Sequence, residues 1–398
     1  MVSKGTPTMT HTDELDTAQT HPTASRTVLN TGVMPSGSPI VTKFPVVHWN
    51  NAGAVLEASE LPRYECLELL GEGGMGEVVR ARDNDIGREV AVKRLKPDLQ
   101  HPEIFARFVE EVRTVGQLEH PNIVPIHDAG VDGNGFFFVM KKVEGETLAA
   151  VISRLDAGDR ETHRQWPFER RVNVIRKVLE ALRYAHSRGV LHRDIKPANV
   201  LVGKMGEVFL LDWGIAKRTG SSAPDSTAGT AVPSTTQTHA GAVMGTPLYM
   251  SPEQARGEVA DARSDLYSLC MTLYEFLTLR HPFSHLTDPA EVLKAVAGAP
   301  IPSAAFRRHP HQYNPPMDVS HVLRKGLSKS PSDRFQSADE LAQRLDDRAE
   351  GKVPMQCPIS ATKRLNYEFM KIVNAYPITW MALLTLGLMG AAASFFWR

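Results

Sequence analysis

Cysteine is scarce in this sequence of 398 residues: Cys66, Cys270 and Cys357 are the whole complement. They are too few and too widely spaced for a disulfide framework or a zinc site, and such usage fits a reducing compartment. A surplus of either charge is also missing. Lys and Arg total 45, as do Asp and Glu, so no basic excess points to nucleic acid as a partner. Aromatic residues are absent between Thr6 and Thr27, where Thr, Ser and Pro dominate. Such a stretch cannot bury enough surface to offset the entropy of ordering it. Residues 1–60 therefore read as a disordered arm and lead-in, without the apolar core of a secretory signal. No repeat of fixed period is found.

What the chain does have is enough apolar material for a core. Hydrophobic residues make up 42% and charged residues 23%, which excludes wholesale disorder. Its longest apolar run, Ile378 to Trp397, carries no charged residue. A helix of about 20 such residues spans the ~30 Å hydrocarbon core of a bilayer. Trp380 at one end and Phe395, Phe396 and Trp397 at the other suit interfacial anchors. Lys352, Lys363, Arg364 and Lys371 precede the run, so the positive-inside tendency places everything before it in the cytoplasm. The expectation is a single-pass inner-membrane protein with a transmembrane helix at 378–397 and a juxtamembrane linker at 349–377.

Between these ends the pattern changes from strands to helices. Glu65–Leu70, Glu77–Arg82 and Arg88–Leu95 are β-prone runs separated by Gly-rich or Asn-Asp turns. Later, Arg171 to Arg188 places Ile175, Val178, Leu179, Leu182 and Ala185 on one helical stripe, with Gly189 as a stop signal. The expected fold class is α+β, bilobal, with a small β-rich N-lobe at about 61–143 and a larger helical C-lobe at about 144–348. Val151–Phe168 receives no assignment.

Three groups of residues carry chemistry. Gly71-Glu72-Gly73-Gly74-Met75-Gly76-Glu77-Val78 has the spacing G-x-G-x-x-G-x-V; glycines let a backbone approach phosphate oxygens with no Cβ in the way. Dinucleotide-binding units open similarly, but a helix should then follow directly, and Glu77–Arg82 looks like a strand. Next, Val90-Ala91-Val92-Lys93 sets a lysine in an apolar strand, where phosphates and a carboxylate would balance its charge. The helix expected at Glu103–Leu118 offers Glu110 and Glu111. Finally, His192-Arg193-Asp194-Ile195-Lys196-Pro197-Ala198-Asn199 is followed by an apolar strand, Val208–Leu211, and by Asp212-Trp213-Gly214. Two carboxylates, an amide and a lysine form the set that phosphoryl transfer needs: a base for a hydroxyl, oxygen ligands for Mg²⁺ and a cation beside the transferred group.

With those motifs in that order, the sequence resembles the eukaryotic-like (Hanks-type) serine/threonine protein kinases of bacteria. The resemblance covers about residues 64–348, within a kinase domain expected at 61–348, and implies an ATP-dependent transferase acting on Ser and Thr of proteins. Asp194 matches the catalytic base, Lys196 the cation near the γ-phosphate, and Asn199 and Asp212 the Mg²⁺ ligands, with Mn²⁺ as an alternative metal. Leu70, Gly71, Glu72, Gly73, Gly74 and Gly76 match the loop over the ATP phosphates. Val78, Ala91 and Leu201 enclose adenine in this correspondence, beside a hinge of Met140, Lys141 and Val143. Lys93 matches the lysine on the α/β-phosphates, and the spacing to His120 makes Glu111 its expected partner. Further on, Glu253 is expected to pair with Arg334, and Asp265 to brace the catalytic loop.

The sequence departs from the family at Trp213, where Phe is usual, at Ser251 before Pro252-Glu253, and at the hinge lysines. Between Asp212 and Glu253 lie many Ser and Thr residues, of which Thr236 and Thr238 are expected autophosphorylation sites, their phosphate pairing with Arg193. A second copy of the chain, phosphorylating in trans, is an expected partner; nucleic acid is not. A scaffold without turnover would lack a catalytic residue, and none is missing.

Overall fold

The computed structural model describes residues 46–50, 53–57, 62–73, 76–96, 102–133, 135–213, 247–352, 358–375, 380–381 and 385. The chain divides into two compact units, one of residues 1–65 and 82–88, the other of 66–81 and 89–398. In the first, β1 (Val46–Asn50) and β2 (Gly53–Glu57) pair antiparallel, Val46 opposite Glu57 and Asn50 opposite Gly53. This hairpin falls inside the stretch expected as arm and lead-in; residues 1–45 lie outside the described residues. In the same unit the Asn84 amide donates to the Pro62 carbonyl at 2.9 Å.

The second unit carries the expected order of strands, then helices. Strands β3 (Tyr64–Glu72), β4 (Gly76–Asp83), β5 (Arg88–Leu95), β6 (Ile126–Asp132) and β7 (Gly135–Lys141) form a five-stranded sheet in the order β3-β4-β5-β7-β6. Helix α1 (Pro102–Gly116) lies between β5 and β6 in sequence, and Phe108 packs on Phe138 with ring centroids 5.5 Å apart. In register, Ala91 faces Met140 and Lys93 faces Phe138 across β5 and β7.

Past the hinge, β8 (Gly145–Thr147), β9 (Val200–Gly203) and β10 (Val208–Leu210) make a small antiparallel sheet in the order β10-β9-β8. Around it stand α2 (Leu148–Asp156), α3 (Arg160–Gln165), α4 (Phe168–Ser187), α5 (Pro252–Ala255), α6 (Ala262–Thr278), α7 (Pro289–Gly298), α8 (Met317–Gly326) and α9 (Ala338–Ala349). The unassigned stretch after the hinge is thus two helices. Thr147 caps α2 by accepting the Ala150 N–H, and Asp159 caps α3 by accepting from Glu161 and Thr162. On α4 the expected stripe is buried, from Ile175 to Ala185, and Gly189 follows with φ +71°, the left-handed turn that ends a helix at least cost in glycine. Helix α6 runs through the middle of the core, with both Leu266 and Phe276 fully buried.

The membrane expectation requires correction. Among the described residues no helix is long and apolar enough to cross a membrane. Among the described residues the last long helix, α10 (Pro358–Ala375), occupies the expected linker. It carries Lys363, Arg364, Glu368 and Lys371, charges too costly for a hydrocarbon core. Of the run 378–397, only Trp380, Met381 and Thr385 are described. Trp380, expected as an interfacial anchor, packs edge-on against Phe369 at 5.2 Å. The single-pass span at 378–397 and the inner-membrane placement built on it are therefore withdrawn.

Candidate active site

Glycines between β3 and β4 serve two different needs. At Gly71 an added Cβ would meet nothing within 4 Å, and at Gly73 only the Gly76 carbonyl at 3.9 Å. Protein packing does not demand glycine there, and its absence of side chain leaves room for a ligand. At Gly76 a Cβ would sit 2.1 Å from the Arg94 carbonyl oxygen, so strand contact alone requires glycine. Gly73 N–H donates to Gly76 carbonyl at 2.8 Å, closing the turn. Glu72 is tied to Lys96 at 2.6 Å, and Leu70 is exposed. Gly74 lies outside the described residues.

Behind this loop, Ala91 is buried and Val78 half-buried. Met140 stands opposite Ala91, and Leu201 of β9 lies opposite Thr147 of β8 and Phe209 of β10. Val143, also half-buried, follows the hinge lysines. Both lysines are engaged within the protein. Lys141 N–H donates to the Pro125 carbonyl at 3.2 Å, and its ammonium lies 4.9 Å from the Phe209 ring centroid. Lys142 pairs with Glu89 and, at 3.5 Å, with Glu144.

Lys93 reaches across to the opposite lobe. Its ammonium donates to Asp212 Oδ1 at 2.7 Å. The expected partner position, Glu111, lies on α1, but its side chain is outside the described residues. Desolvation pushes the Asp212 carboxyl upward, and the attraction and hydrogen bond of Lys93 outweigh it, leaving the pKa below its ordinary value. Asp212 has φ +49° and its side chain stays 54% exposed. An ionised, half-open carboxylate at a left-handed backbone position is available to a further ligand.

Opposite it, Asp194 anchors a compact set. Lys196 Nζ donates to Asp194 Oδ2 at 2.8 Å; Asn199 Nδ2 donates to the Asp194 carbonyl at 2.8 Å and to Oδ2 at 3.2 Å. The amide nitrogen of Asn199 is thereby committed as donor, which leaves the amide oxygen as its cation-binding atom. With Asp212, that oxygen supplies the hard donors a small divalent cation prefers, few in number and completed by phosphate and water. No group of three or more His, Cys, Asp or Glu that could hold a metal occurs among the described residues.

Beneath the loop the contacts are buried. Asp265 Oδ1 accepts the Arg193 N–H at 2.8 Å; Oδ2 accepts the His192 N–H at 2.8 Å and lies 2.9 Å from His186 Nε2. This holds Arg193 at φ +65°, a conformation that costs free energy without such support. The Arg334 guanidinium donates to both Glu253 oxygens at 2.7 Å. Burial would raise the Glu253 carboxyl, but Arg334 and Ser264 hold it at about 2. Ser251 caps α5 in a reciprocal pair with Gln254, which gives the departure from the family a physical reason.

One positioning element escaped the sequence reading. Asn122 Nδ2 donates to the Val208 carbonyl, and its own carbonyl accepts the Leu210 N–H, both at 2.8 Å. The His120-to-Val124 segment thus fixes β10, and with it Asp212. An Asn between Pro and Ile in an otherwise apolar segment was the available signal. The expected phosphorylation sites Thr236 and Thr238 lie outside the described residues.

Comparison with known proteins agrees with this geometry. The protein kinase domain family matches residues 64–345. A probable serine/threonine-protein kinase of Streptomyces coelicolor is 38% identical over 79% of this chain and 43% of its own length. The serine/threonine-protein kinase PknB of Mycolicibacterium smegmatis is 38% identical over 73% of this chain and 44% of its own. The chain thus spans less than half the length of these relatives. Among solved structures, the PknI kinase domain of Mycobacterium tuberculosis superposes with a TM-score of 0.52 at 26% identity, covering 72% of this chain and 96% of that one. The chain belongs to the protein kinase family and, within it, to the bacterial eukaryotic-like serine/threonine kinases.

Proposed function

We propose that this chain transfers the γ-phosphoryl group of ATP to Ser and Thr hydroxyls of proteins, with Mg²⁺ or Mn²⁺ as the metal. What supports the reading is the approach of two polar sets, Lys93 with Asp212 and Asp194 with Lys196 and Asn199, whose segments are joined where the Leu211 N–H donates to the Asn199 carbonyl at 2.8 Å. Asp194 accepts the proton as the substrate oxygen bonds to phosphorus and the bond to the ADP oxygen breaks. Lys196, already on Asp194, stands where it can also meet the charge of the transferred group. Lys93 orients the α/β-phosphates, and Gly71 and Gly73 admit them close to the backbone. Asn199 and Asp212 would hold the metal, which supplies neutralisation of phosphate charge.

Autophosphorylation at Thr236 and Thr238 belongs to the same reading, with Arg193 as the group that meets the new phosphate. Its test is incubation with ATP followed by mass spectrometry. Phosphate between 219 and 238 is expected; a fully active enzyme with none there would refute it. The function itself is tested by label transfer from γ-labelled ATP to protein, and labelling of Ser and Thr is expected.

A further inference from the structure

Lys142 lies between Lys141 and Val143, the hinge positions expected beside adenine. It is the least exposed member of a strip of alternating charge. Glu68 on β3 pairs with Arg80 of β4 at 3.0 Å, and Arg80 donates to Glu89 of β5 at 2.9 Å. Lys142 Nζ donates to the other Glu89 oxygen and lies 3.5 Å from Glu144 Oε1. Lys204, in the turn after β9, donates to Glu144 Oε2 at 3.0 Å. The strip thus runs from the five-stranded sheet, through the hinge, to the small sheet beyond it. Lys142 keeps 16% of its side-chain surface exposed, against 43% for Glu89 and 60% for Glu144. The Glu89 carboxyl is held below its usual range chiefly by the hydrogen bond from Lys142, and the Glu144 carboxyl chiefly by that from Lys204. The backbone on either side is tied as well: Lys141 N–H donates to the Pro125 carbonyl at 3.2 Å, and Lys204 N–H to the Glu144 carbonyl at 2.9 Å. Between these ties, the Lys142 side chain holds the middle of the hinge.

An exposed ion pair taken alone contributes little to stability. A half-buried ammonium gripped by two carboxylates from opposite sides of a hinge fixes a geometry instead. We propose that Lys142 is a positioning residue for the adenine site: held between Glu89 and Glu144, it sets the hinge peptides in the orientation that meets a purine before any nucleotide arrives. Releasing it lowers the fraction of molecules competent to bind, and the apparent affinity falls by that fraction. The inference rests on the nucleotide reading given above and adds what prepares that site.

The test is calorimetric binding of adenosine to the full chain. Adenosine is uncharged and carries no phosphate, so salt acts on the ion pairs of the protein rather than on the ligand. In wild type the Kd for adenosine is expected to rise about 3- to 10-fold between ~0.05 and ~1 M NaCl. Lys142→Met keeps the apolar stem and removes the ammonium; its Kd should be about 3- to 10-fold higher at low salt and nearly independent of salt. Lys142→Arg should restore both the affinity and the salt dependence. Glu89→Gln should weaken binding too, with no further loss when combined with Lys142→Met. Wild-type affinity in Lys142→Met at low salt, or the same salt dependence in both proteins, would overturn the proposal. So would a Lys142→Arg variant as weak as Lys142→Met. A wild type that binds no adenosine at any salt would refute the nucleotide reading itself, and this inference with it.

Discussion

The base of the catalytic loop and its upper edge are built on opposite principles. Below, Arg334 and Glu253 keep 0% and 5% of their side-chain surface exposed, and Asp265 keeps 1%. Every carboxylate oxygen there has a partner inside the protein. Above, Asp194 and Lys196 keep 23% and 25%, and Asp212 keeps 54%. The lower contacts hold backbone, including the strained φ of Arg193. The upper contacts hold charged groups that still face solvent. Rigidity is placed at the base, and openness at the edge where phosphate and metal are proposed to bind.

That contrast can be broken by mutation. Arg334→Ala leaves the Glu253 carboxylate buried and unpaired, which should cost about 3–5 kcal/mol of stability, read by denaturant unfolding. Lys93→Ala should behave in the reverse way: stability changes by less than ~1 kcal/mol, while phosphoryl transfer falls about 10²- to 10³-fold. If Lys93→Ala unfolded the protein as Arg334→Ala does, the division between base and edge would be wrong. Asp265→Asn lies between them. It keeps the shape but loses a charged acceptor for two backbone N–H groups, and a loss of about 1.5–3 kcal/mol is expected.

Acid sharpens the same division. Glu253 has its carboxyl depressed in the folded state, from 4.5 to about 2. The stability it contributes is present in full above about pH 4.5 and is lost as pH falls towards 2. Melting temperatures measured across that window should fall in wild type and stay flatter in Glu253→Gln. The smallest effect concerns Ser251. Ser251→Ala removes the cap of α5, and a loss of ~1 kcal/mol is expected with transfer largely retained.

Much of this was legible beforehand, for stated reasons. Alternation and glycine placement located β3, β4 and β5 within a residue or two of Glu65, Glu77 and Arg88. The 3.6-residue stripe from Ile175 to Ala185 located α4. Glu253 with Arg334, and Asp265 under the loop, came from the family resemblance and are seen as contacts. The Glu111 side chain lies outside the described residues, and the contact of Lys93 with Asp212 was not legible. Strand position says that an ammonium needs a carboxylate, but Asp212 is chosen by tertiary approach across 119 residues of sequence. Helix α3 was missed because Arg160 to Gln165 contains no apolar residue. Its only local signal was the cap at Asp159. The reading of 378–397 weighed apolar length, aromatic ends and basic flanks, none of which reports the protein contact that Phe369 on α10 makes with Trp380.

The central claim is that Asp194, with Lys196 and Asn199 on it, takes the proton in a transfer for which Lys93 and Asp212 present the phosphates. Label transfer from γ-labelled ATP to a Ser/Thr protein substrate, compared between wild type and Asp194→Asn, tests it most directly. The account predicts a fall of about 10²- to 10⁴-fold with an unchanged melting temperature. Equal incorporation by the two proteins would contradict it.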